Sequence, residues 1–146
     1  MIHEASTQSP NGGTQPAVYA LNGQLSFPEG WSEEQIMSVV DSFLFDLTIS
    51  LKRHGCSLIG HIKGILDAGE NGHLFFSITS FEERTRFKGA LSGRSQKIDM
   101  ALNVIVYGVD GEKIRELVMT GLENIREIFF TIATNKPILH TIRREQ

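Results

Sequence analysis

The chain carries one cysteine, Cys56, in 146 residues, so no intrachain disulfide can form. A single sulfur ligand also falls short of the sets that structural zinc requires. Charge of one sign is missing: 14 basic residues face 17 acidic ones, and the net charge of −3 gives no bulk attraction to a polyanion. Long hydrophobic runs are absent, and charges interrupt every apolar segment before it reaches the length of a membrane span. The first residues show no basic region followed by an apolar stretch, so no secretory leader is expected. With the lone thiol, this suits a cytoplasmic protein.

What is present is a strong alternation of apolar residues. Residues 1–16 are polar and rich in Ser, Gly and Pro, and read as a disordered tail. Residues 17–142 read as a single α+β domain, and 143–146 as a solvated tail. Tyr19, Leu21, Leu25 and Phe27 share one face of a first strand, which Pro28 and Gly30 end. Ser32 and Gln35 make a capping box for a helix. Its stripe is Ile36, Val39, Val40, Phe43, Leu47 and Leu51, and Gly55 is its stop. Met37, Leu44, Phe45 and Ile49 lie off that stripe, which gives the helix a second apolar side able to meet another subunit.

From Ser57 to Phe81 two alternating runs flank Gly69-Glu70-Asn71-Gly72, the pattern of a β-hairpin. A loop from Ala68 to Gly72 sets Asp67 opposite His73, Leu66 opposite Leu74, Gly64 opposite Phe76 and Ile62 opposite Ile78. This set meets the helices, with Phe76 lying over Gly64. The other face then pairs Ile65 with Phe75, Lys63 with Ser77, His61 with Thr79 and Ile59 with Phe81. A slip of one residue would bury Lys63 and His61.

A further strand runs from Lys97 to Val109. Asp110 then caps a second helix whose inner stripe includes Ile114, Val118, Leu122, Ile125, Phe129 and Ile132, ending near Asn135 and Pro137. Gly121 in that stripe allows close approach to the sheet. Ile138 to Ile142 is a short extended segment. The order β-α-β-β-β-α predicts a four-stranded, mainly antiparallel sheet with both helices packed on one face. Helix, three-strand meander, helix is also the order of double-stranded-RNA-binding domains. Those rely on a basic start to the last helix, whereas this one begins Asp110-Gly111-Glu112-Lys113.

The open face would carry Ile59, Ile65, Phe75, Phe81, Ile105 and Tyr107 among its polar groups, and apolar patches of this kind mark interfaces. The electrostatic centre is the 82–97 connection, where Arg84, Arg86, Lys88, Arg94 and Lys97 oppose only Glu82 and Glu83. Arginine forks match phosphate and carboxylate, so the segment is a candidate anion site, although a solvated link is the plainer reading. It is not a Walker loop. His61 and His73 share a face but stand six residues apart along the ladder, too far to share a metal; no metal or cofactor is expected.

The leading expectation is a small self-associating domain that works by binding rather than catalysis, holding an anionic small molecule or another protein, without a membrane. An enzyme using His61 and Lys63 on a phosphorylated or carboxylated substrate is one alternative. An RNA-binding module is the other, and the acidic balance argues against nucleic acid.

Overall fold

The computed structural model describes residues 4–7, 15–125, 129–132 and 140–143. Eight strands and two helices follow in order: β1 (Glu4–Thr7), β2 (Ala17–Trp31), α1 (Glu33–Arg53), β3 (Leu58–Asp67), β4 (Gly72–Ile78), β5 (Arg86–Leu91), β6 (Ser95–Tyr107), α2 (Gly111–Glu123), β7 (Phe129–Ile132) and β8 (His140–Arg143). The fold is α+β. Five antiparallel strands, in the order β5-β4-β3-β6-β2, make its body. Both β1 and β7 hydrogen-bond to the remaining edge of β2, and β8 follows β7.

The β3–β4 register is the one that the alternation demands, from Ile62 opposite Ile78 to Asp67 opposite His73. Inward residues of β2, β3, β4 and β6 join Ile36, Val40, Phe43, Leu44, Leu47 and Leu51 of α1 and Ile114, Val118 and Leu122 of α2 in one core. Both helices therefore cover the same face of the sheet. The capping box forms: the Gln35 N–H donates to the Ser32 hydroxyl, and the Ser32 N–H donates to the Gln35 side chain at 2.9 Å. At the helix C-terminus Cys56 is buried, and that burial pushes its thiol pKa up.

Five expectations are corrected. The sheet has more than four strands, because Arg86–Leu91 pairs with β4 instead of forming a loop. Glu4–Thr7, placed by composition in a disordered tail, pairs with β2. The second helix stops at Glu123, with Asn124 as its cap, and Phe129–Ile132 is a strand. The run Phe129-Phe130-Thr131-Ile132 is aromatic and β-branched, so strand preference prevails over a stripe that also fits helical spacing. Gly121 faces α1 rather than the sheet: a Cβ there would stand 2.9 Å from Cε1 of Phe43. The extended segment expected from Ile138 overlaps β8, and its first two residues lie outside the described residues.

The fifth correction concerns the open face. The β3–β6 ladder is irregular between Ile59 and His61, so Gly60 is an extra residue in β3. Ile59 then pairs with Val106 and is buried, and Leu58 turns outward opposite Tyr107. Phe81 lies beyond the end of β4, against the core and under the Lys52 ammonium, 5.2 Å from the ring centroid. His61 has Ile105 as its partner, since β4 ends before Thr79.

At Gly64 a Cβ would collide with the Phe76 ring and lie 2.6 Å from the Ala101 carbonyl oxygen. Backbone on one side and a buried ring on the other leave no route for relief. Gly64→Ala should lower unfolding stability by about 1–3 kcal/mol in urea titration. A change below roughly 0.5 kcal/mol, the scale of a neutral surface substitution, would refute this packing account.

Candidate functional site

The outward residues of β5, β4, β3, β6 and β2 form a grid fixed by the ladders. Its central row is Lys88, Phe75, Ile65, Ala101 and Asn22. On one side lies the row Arg86, Ser77, Lys63, Asn103 and Ala20, with His61 and Ile105 beyond it. On the other side lies Ala90, His73, Asp67, Asp99 and Gln24. The three rows thus run from basic through a largely apolar centre to acidic, and Lys97, opposite Ser26, lies beyond the acidic row.

Phe75 is 44% exposed and Leu58 56% exposed, high values for side chains of this size. The Phe75 ring meets the edge of His73, with centroids 5.4 Å apart. Asp67 and Asp99 stand directly opposite each other on neighbouring strands. Each carboxylate accepts one neutral donor: the Gly69 N–H at 2.9 Å for Asp67, and the Gln24 amide at 3.2 Å for Asp99. At the basic end, partial burial and then the Lys63 ammonium hold the His61 pKa below its ordinary value.

The five basic residues of the 84–97 stretch do not converge. Arg84 lines a cleft of about 530 Å³ between α1 and the turn before β5, together with Asp41, Glu82 and Glu83. That cleft is mainly acidic. Thr85, also on its wall, has the one buried side-chain oxygen without a hydrogen-bond partner among the described residues. Arg86 pairs with Glu83 at 3.0 Å, and Glu83 also accepts the Thr79 hydroxyl. These contacts, Thr79 foremost, hold the Glu83 carboxyl below its usual range. Arg94 donates to the Gly30 carbonyl at 2.7 Å and fastens the irregular end of β2. Lys97 stands opposite Ser26, three strands and four residues from Lys88 in the grid, or roughly 20 Å by strand spacing and rise. What the fold brings together is Arg86 and Lys88 with Lys63 and His61, at one corner of the open face.

Two participants escape the sequence reading. Asp99 follows from the alternation of β6, which places Lys97, Asp99, Ala101 and Asn103 on one side. Leu58 depends on the extra residue Gly60, and a glycine inside a strand was its only signal. A hollow between the helices and the sheet is lined by apolar residues and small, about 20 Å³, the room of a single water molecule and too little for a ligand.

The lowered His61 pKa has a definite sign. The unfolded chain takes up the proton first, so this contribution to stability is complete above the ordinary value of 6.5 and is lost as pH falls through the folded value. His61→Gln should lose less thermal stability than the parent between about pH 7 and pH 5. Parallel melting curves for the two proteins would contradict it. No protein-family model, curated protein or solved structure matches this chain.

Proposed function

We propose that this chain is an interaction domain that works by binding, and that its contact surface is the open face of the sheet. One observation carries the reading: the exposed Phe75 stands in a central row with Ile65 and Ala101, bracketed by a cationic and an anionic row. An apolar centre with a charged surround is how protein interfaces are built. Self-association is the form of binding proposed, and the lone, buried Cys56 thiol supports a cytoplasmic setting for it.

The alternatives receive less support. An anion held by Arg84, Arg86, Lys88, Arg94 and Lys97 together needs a convergence that their positions do not provide. Only Arg86 and Lys88 join Lys63 on one corner, where an anionic group of a partner would sit. Catalysis by His61 and Lys63 draws no support from the two cavities described above, since neither residue lines them. RNA binding needs a continuous basic track, and Asp67 and Asp99 interrupt it on this face. The outer side of α1 presents Phe45, 62% exposed, beside the acidic cleft as a separate apolar residue.

Sedimentation velocity tests the reading. The parent should associate with rising concentration, Phe75→Asp should remain monomeric at every concentration, and Phe45→Asp should behave as the parent. A monomeric parent overturns the proposal. So does dissociation by the Phe45 change alone, which would move the contact to α1. Circular dichroism of each variant checks that the fold is retained.

A further inference from the structure

We propose that two copies of this chain dock open face to open face about a two-fold axis lying along the Phe75–Ile65–Ala101 row, so that Lys63 of each copy meets Asp67 of the other. This rests on the interaction reading above and adds its partner and its geometry.

The argument starts from a cost inside the single chain. Like charges directly opposite on adjacent strands destabilise a sheet, and Asp67 and Asp99 are such a pair. The two salt bridges of the described residues, Glu83 with Arg86 and Lys113 with Glu116, leave both aspartates without a cation. Lys63 has no carboxylate partner among the described residues either, and its charge is felt by His61. Asp67, Asp99 and Lys63 thus form no salt bridge among the described residues, although Lys97 stands two residues from Asp99 on the same side of β6.

Symmetry then limits how two such faces can meet. Face-to-face copies require a two-fold axis in the plane of contact. An axis parallel to the strands, between β3 and β6, exchanges those two strands. It would set Asp67 of one copy against Asp99 of the other and leave Lys63 against Asn103. An axis across the strands keeps each strand over its own copy and reverses its direction. Placed along the central row, it stacks Phe75, Ile65 and Ala101 on their counterparts. It also brings Lys63 to Asp67, Asn103 to Asp99 and Ser77 to His73. Only this second arrangement satisfies the charges. Lys88 falls on the axis at the edge strand, where aligned sheets diverge by about 30° and a lysine stem reaches water.

The termini do not take this place in the described structure: β1 and β7 join the edge of β2 and widen the sheet in its own plane. Five strands at about 4.8 Å and three full rows at about 6.8 Å give a footprint near 500 Å² per copy, the lower range for a specific contact. The association should therefore be reversible and concentration-dependent.

Charge reversal tests the arrangement. Lys63→Asp and Asp67→Lys should each weaken self-association by tenfold or more in sedimentation equilibrium. An equimolar mixture of the two variants should form a heterodimer at least as tight as the parent, since both cross-copy pairs are then attractive. As a check without charge, Ile65→Cys should cross-link to itself through a short bis-maleimide, because position 65 lies on the axis. Asn103→Cys, about 14 Å from its counterpart by strand rise, should not. If the parent associates but the mixture gains nothing and position 65 does not cross-link, the two-fold register is wrong and the interaction reading survives. A monomeric parent removes both.

Discussion

Strand β6 hydrogen-bonds to β2 on one side and β3 on the other, and the rest of the molecule is arranged by those two ladders. Along β6, Ile98, Met100, Leu102, Val104 and Val106 are buried, while Asp99 and Asn103 are exposed. A slip of one residue would send five apolar side chains to water and charge into the core. At roughly 1.5–3 kcal/mol for each large aliphatic side chain, that is comparable with the whole stability of an ordinary domain. The register is therefore fixed by the core, and the layout of the opposite face follows from it without separate selection of each position.

Gly60 modifies this rule at one point. One extra residue in β3 reverses the alternation, so that Ile59 enters the core and Leu58 leaves it. A similar economy of space operates between the helices, where Gly121 of α2 admits the ring of Phe43 from α1. Missing side chains thus make room for Phe76 within the sheet at Gly64 and for Phe43 between the helices at Gly121, while the bulge alters which apolar residues reach the surface.

The hairpin was legible because its two runs alternate cleanly and its turn is marked by glycines at both ends. The capping box of α1 was legible because it is local. β5 was not, since Arg86-Phe87-Lys88-Gly89-Ala90-Leu91 lacks the apolar density of a buried strand. It is an edge strand, and charge on edge strands opposes unwanted pairing. The end of α2 was misread because Phe129 and Ile132 fit both a helical stripe and a strand. On the open face, Phe75, Ile65 and Lys63 could be read from period two alone. The Asp67–Asp99 contact could not, because it joins two strands 32 positions apart through a ladder that contains the bulge.

The contact between Glu33 and β5 bears on what the outer edge of the sheet can offer another strand. The Glu33 carboxylate, at the start of α1, accepts the Leu91 backbone N–H at 2.7 Å. A donor that would otherwise offer itself to a strand from another molecule is taken up by the chain's own helix. Arg86 and Lys88 project from the same strand, and charge on an edge strand opposes lateral pairing. Addition of a strand from another molecule is thereby opposed along this border, while the outward face of the sheet keeps Phe75 exposed.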